Sequence, residues 1–129
     1  MNQPNSVLPS FHDGFLDGFL ARGDEVRVFV RAYQGAPFTL MLMGVKRFNV
    51  EGFAEGNIIL ECGMSTNPEV PMDILIALNH GGKRHQELAQ LRALIADEGY
   101  QVLSIVPSYG ATVVALVKEL SVIEGTVMY

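Results

Sequence analysis

Two stretches of this sequence place chemistry-bearing side chains side by side. The first is His12-Asp13, with Ser10 two residues before and Asp17 four residues after. An imidazole next to a carboxylate is half of an acid–base or metal site, since the carboxylate can orient the ring and select its protonated nitrogen. In a strand His12 and Asp13 point to opposite faces and cannot act together directly. In a helix Asp13 and Asp17 share a face. The plainer expectation is that Asp13 hydrogen-bonds a backbone turn while His12 caps a sheet edge.

The second stretch is His80-Gly81-Gly82-Lys83-Arg84-His85. Paired glycines and two cations ahead of a helix resemble an anion cradle, because the first N–H groups of a helix attract phosphate. The stretch lacks the GxxxxGK[ST] spacing, and His80 and His85 are five apart, not the four that bring two histidines onto one zinc. A mobile connection with solvated charges is the simpler reading. Three histidines and one cysteine are too few for a structural zinc site, so neither a metal nor a cofactor is expected. Cys62 ends the apolar run Ile58-Ile59-Leu60 and reads as a small packed residue, not a nucleophile. Ser108 and Ser65 lie in no nucleophile motif and are expected to be turn or loop residues. Glu51, Glu55, Glu61 and Glu69 gather around two loops, as solvated charge or as a face for a basic partner.

The elements that would position these groups are mostly strands. The 129 residues are 49% hydrophobic with a formal net charge of −5, which fits one globular domain. Phosphate binding needs clustered Lys and Arg, so the acidic balance argues against a nucleic-acid binder. No run reaches the ~20 apolar residues that span a bilayer, so no membrane association is expected. The opening residues lack a signal peptide's charged and apolar regions, and with the single cysteine this points to the cytoplasm.

Residues 1–10 read as a flexible, proline-marked lead-in and 11–129 as one domain. Asp-Gly-Phe-Leu occurs twice, at 13–16 and 17–20, so residues 11–22 fit either period, with a strand over 15–22 preferred. Val26, Val28, Val30 and Ala32 alternate with Arg27, Phe29, Arg31 and Tyr33, the mark of a half-buried strand. Residues 38–45 are apolar on both faces. Residues 48–57 read as a loop whose phenylalanines, Phe48 and Phe53, tuck under as a plug. Residues 58–62 and 72–78 read as strands. Leu88, Leu91, Leu94 and Ile95 form one stripe, predicting a helix over about 84–98 that ends at Gly99. Two strands follow, over 100–106 and 112–124, joined by a turn at 107–110. The expected fold is therefore α+β: a mainly antiparallel sheet of six to seven strands with one amphipathic helix on one face. The other face needs a cover. The two-sided strand 38–45, with Met41, Met43, Phe29 and Tyr33, predicts a homodimer.

Phe11-His12-Asp13 ahead of the first strand, Gly44-Val45 closing another, and Gly56-Asn57-Ile58-Ile59 opening the next resemble small bacterial domains of uncharacterised function. Some of these are grouped with immunity proteins of polymorphic toxin systems. The resemblance covers residues 11–62. It implies a β-rich fold and binding to a protein partner, and supplies no catalytic residues. The expected function is a non-catalytic protein-binding domain. The alternatives are a small-ligand or hydrolytic domain with a pocket near His12, Asp13 and His85, or a structural homodimeric subunit.

Overall fold

The computed structural model describes residues 8–66 and 68–128. The chain forms β1 (Phe15–Arg22), β2 (Glu25–Arg31), β3 (Pro37–Met43), β4 (Arg47–Glu51) and β5 (Asn57–Ser65). Two helices follow, α1 (Met72–Leu78) and α2 (His85–Glu98), then β6 (Gln101–Tyr109), β7 (Thr112–Val117) and β8 (Glu119–Glu124). The alternation over 26–32 does what its period requires: Val26, Val28 and Val30 are buried on one face of β2. Residues 15–22 are a strand, paired along β2, with a bulge between Leu16 and Gly18 that sets Asp17 apart.

All eight strands lie in one antiparallel sheet, in the order β4-β7-β6-β5-β1-β2-β3-β8. The two ends of that order are continuations of strands inside it. β4 follows β3, and β8 follows β7. The two form a single bent ribbon in which β3 pairs with β8 and β4 with β7. The sheet therefore closes on itself as a barrel. At the bend, Lys118 N donates to Met43 O at 3.0 Å and Lys46 N to Leu116 O at 2.8 Å. Gly44 sits there at φ 64°, and a Cβ on it would lie 2.8 Å from the Lys118 Cβ. Glycine is thus required both by its backbone conformation and by the close approach. Leu16, Val26, Val28, Val30, Leu40, Leu42, Ile59, Leu103, Ile105, Val113, Ala115, Val117 and Leu120 fill the interior.

Closure is incomplete on the β1 side. β1 meets β5 only at Phe15 and Leu16, opposite Ile58 and Asn57. Beyond that point Phe19 stacks edge-on against Phe48 and Phe53, with ring centroids 5.5 and 5.7 Å away. Phe48 does pack against the interior, while Phe53 stays half exposed, so the plug expected from this segment is half formed. Along the rest of β5, Phe11 is fully buried and stacks on Phe38 at 5.5 Å. Leu8 packs against the same core. Residues 1–7 of the lead-in lie outside the described residues.

The helices cover the outer face of β6 and β7. Leu75, Leu78, Leu88, Leu91 and Ile95 pack there on Val102, Val114 and Leu116. β7 is consequently buried on both sides, which explains its unbroken apolar run. Four expectations need correction. Residues 72–78 are a helix, not a strand. A seven-residue apolar run fits either period, and here Leu75 and Leu78, three apart, are the fully buried pair. Residues 48–51, expected as part of a loop over 48–57, belong to β4, so the sheet has eight strands with two helices. The long final strand is two strands broken at Lys118, where the ribbon bends. The 107–110 segment is not a turn up to Gly110. β6 carries through Pro107 to Tyr109, and Pro107 sits opposite Ile59 at a register irregularity, where proline is tolerated.

The outer face of β3 is covered partly by the chain's own end. Thr39, fully buried, donates its hydroxyl to Gly125 O at 2.8 Å and accepts from Val127 N at 2.9 Å. Arg27 donates to Val127 O at 2.9 Å. Phe29 is 8% exposed, whereas Tyr33 is 73% and Met43 38% exposed. Of the residues expected to need a second copy, Phe29 is already buried. Among the described residues, no helix is long and apolar enough to cross a membrane.

Candidate functional site

His12 and Asp13 lie in a tight turn that hangs on β5. Gly14 N donates to Phe11 O at 2.7 Å, Asp13 N to Ile59 O at 2.8 Å, and Ile59 N to Gly14 O at 2.9 Å. Asp13 adopts φ 62°, a conformation that aspartate tolerates better than most residues. Gly14 admits no side chain, since a Cβ would lie 2.3 Å from Arg31 O. His12 Nδ1 is 2.8 Å from Leu60 O. A carbonyl only accepts, so Nδ1 carries the proton and the ring caps the edge of β5. That leaves Nε2 3.5 Å from Asp13 Oδ2 at the surface. Asp17 does not join them. From its bulge it accepts two hydrogen bonds from Arg31, at 2.7 and 2.9 Å.

The second stretch follows α1. His80 turns the chain at φ 53°. Asn79 then ties the connection together, donating to Gly82 O at 3.1 Å and to Glu87 Oε1 at 2.9 Å. A Cβ on Gly82 would lie 2.6 Å from Asn79 Nδ2, so this glycine makes room for the clasp. Lys83, Arg84 and His85 are exposed, with Arg84 4.0 Å from Glu87. His85 lines a shallow cavity of about 130 Å³ with Met72, Leu88, Ala89 and Arg92. His12 lines a different groove, of about 520 Å³, beside Leu60–Ser65. Cys62 opens onto that same groove, but burial pushes its thiol up to about 12, the opposite of what a nucleophile needs. No group of three His, Cys, Asp or Glu side chains among the described residues is placed to hold a metal ion.

The most organised surface lies at the end of the barrel where β1 leaves β5, and the sequence reading did not assemble it. Its keystone is Asn57, buried at the start of β5. Its Oδ1 accepts from Ala54 N at 2.8 Å and Ala111 N at 3.0 Å. Its Nδ2 donates to Ala54 O at 3.0 Å and Leu16 O at 3.4 Å. One side chain thus joins β1, the loop over residues 52–56 and the β6–β7 turn. Gly110, at φ 95°, has no space for a Cβ, which would lie 2.3 Å from Asn57 Oδ1.

The clamp presents aromatic rings to solvent. Phe19, Phe53 and Tyr109 are 40%, 49% and 50% exposed. Tyr109 donates its hydroxyl to Glu55 Oε2 at 2.7 Å. That bond holds the Glu55 carboxyl below its ordinary range and the Tyr109 hydroxyl above its own. Beside them the Arg31 guanidinium lies 4.6 Å from the centroid of the Phe15 ring while Asp17 grips it from the side. Those hydrogen bonds raise the Arg31 value further. A notch of about 280 Å³ runs between Phe15, Asp17 and Arg31 on one side and Phe53–Asn57 on the other. The Gly56-Asn57 pair and the phenylalanines of residues 11–22 were the available signals, but the bulge at Asp17 that brings the pieces together leaves no mark in either period.

Comparison with known proteins found no matching family model, no matching curated protein and no matching solved structure.

Proposed function

We propose that this chain is a non-catalytic protein-binding domain that docks through the aromatic, acidic end of its barrel, as the resemblance to immunity-like domains would have it. One observation carries the reading: three half-exposed aromatic rings come from β1, the loop over 52–56 and the end of β6, and the buried Asn57 hydrogen-bonds to β1, to that loop and to the turn after β6. Aromatic side chains on a rigid support give large contact area at small entropic cost, and they anchor protein interfaces. Asp17 and Glu55 against Arg31 make the notch net acidic, so a basic partner would be drawn to it and binding would weaken with salt. The hydrolytic alternative is less well supported, because His12 and His85 line separate cavities.

The test is capture from native extract at low salt, with wild type, Phe19→Ser and Phe53→Ser as baits. The reading expects a protein retained by wild type and lost by both variants. A protein held equally by all three, or none held by any, refutes it.

The homodimer is a second, compatible reading. Met43 is exposed beside half-buried Met41 on the outer face of β3. Light scattering on wild type and Met43→Asp tests it: a dimer converted to monomer supports it, and a monomeric wild type at micromolar concentration removes it.

A further inference from the structure

We propose that the notch between Phe53 and the Asp17–Arg31 pair receives one guanidinium group, an arginine side chain presented by the partner. The inference rests on the docking reading above and adds the chemistry of its central contact. The notch, at about 280 Å³, suits a side chain rather than a folded segment. Phe15, Asp17, Phe53 and Glu55 all line it; Arg31 already covers the Phe15 ring and both Asp17 oxygens, which leaves Phe53 and Glu55 to meet an incoming cation.

The protein already displays the same recognition once. Arg31 lies over Phe15 at 4.6 Å and takes both oxygens of Asp17 at 2.7 and 2.9 Å. A planar, weakly hydrated cation is the group that can stack on a ring and fork onto a carboxylate together. Phe53 and Glu55 offer an incoming cation a second ring and a second carboxylate. Glu55 is oriented by the Tyr109 hydroxyl, so its position does not have to be set on binding. Charge balance agrees: in the notch Arg31 answers Asp17, and Glu55 is left in excess. Lysine fits less well, because its compact ammonium is strongly hydrated and cannot fork.

The experiment is an amide NMR titration of the full chain with N-acetyl-arginine amide, and with the matching lysine and citrulline amides. Arginine should give saturable shifts at residues 53–56 and Tyr109, with affinity on the order of millimolar for so small a probe. Glu55→Gln, a surface change that leaves the core intact, should weaken binding about fivefold, as should raising salt from about 20 to about 300 mM. Neutral citrulline should give no saturable shift. Absence of saturable shifts with arginine, or equal shifts with citrulline, overturns the proposal.

The capture assay separates this inference from the docking reading. Loss of the partner with Phe53→Ser but not with Glu55→Gln would leave the docking surface standing and remove the guanidinium. Loss with both supports the two together, and loss with neither removes both.

Discussion

Replacing Asn57 by alanine tests whether one buried amide organises the candidate surface. Truncation removes four hydrogen bonds, two accepted and two donated. The partners differ in what they can do afterwards. Ala111 is 1% exposed, so its N–H cannot reach water, and leaving it unsatisfied costs about 1–3 kcal/mol. Ala54 is only partly buried, and its N–H and C=O can rehydrate, so those bonds cost about 0.5–1.5 kcal/mol each. The bond to Leu16 O is long, at 3.4 Å, and adds little. The sum is about 4 kcal/mol, a large share of the roughly 5–15 kcal/mol that holds a small domain together. For a chain of this length the melting temperature should fall by about 15 °C.

Urea denaturation followed by circular dichroism gives the free energy, and amide hydrogen exchange gives its location. The variant should keep slow exchange at Val28 and Leu40 in the barrel interior and lose protection at Ala54 and Ala111. A variant within about 0.5 kcal/mol of wild type, or one with unchanged protection at those two amides, would show that Asn57 does not hold the loop.

Other consequences can be measured on the same protein. With the Cys62 thiol pushed from an ordinary 9.0 to about 12, native protein at pH 8 carries roughly a thousandth of the thiolate of the unfolded chain. Alkylation should therefore be slow until denaturant is added, and equal rates in the two states would contradict the burial. Gly44→Ala places a Cβ against Lys118 at a left-handed residue and should cost about 1–3 kcal/mol in the same urea assay. The Glu55–Tyr109 bond has a pH window set by opposite shifts. Glu55 is depressed, so its contribution is present above the unfolded carboxyl value and is lost as pH falls through the folded one. Tyr109 is raised, so its contribution is present below the unfolded phenol value and is lost as pH rises through the folded one. Ultraviolet titration should show a late-ionising tyrosine that Glu55→Gln moves earlier.

Local pattern served well where a single period was dominant. Val26, Val28 and Val30 are buried on one face of β2, and Leu88, Leu91 and Ile95 on one face of α2, as their spacings require. It failed where two periods fit a short run, as at residues 72–78, and where one chain segment serves two pairings. Residues 112–124 look continuous in hydropathy, yet Lys118 ends one ladder and starts another, because the barrel closes only if the ribbon bends there. Gly44 is the visible half of that bend. Its partner at residue 118 is a lysine, which carries no turn signal of its own.

The candidate surface was illegible for a related reason. His12-Asp13 and His80–His85 drew attention because their residues are adjacent in sequence. In the fold His12 caps Leu60 O, and the second stretch is itself held by Asn79, which clasps the segment before α2. The residues that do converge, Phe15, Asp17, Arg31, Phe53, Glu55 and Tyr109, come from two strands, a loop and the end of a third strand. What joins them is the short β1–β5 contact at Phe15 and Leu16, after which β1 parts from its neighbour and exposes its interior-facing Phe19. A gap of this kind is filled by the barrel's own side chains, by water or by another molecule. Phe48 fills it from within, and the exposed faces of Phe19 and Phe53 remain beside a loop that Asn57 holds in place. Exposed rings alone are common on small proteins. Rings held by a buried, fully hydrogen-bonded amide are the reason this end of the barrel, rather than either histidine stretch, is where binding should be sought first.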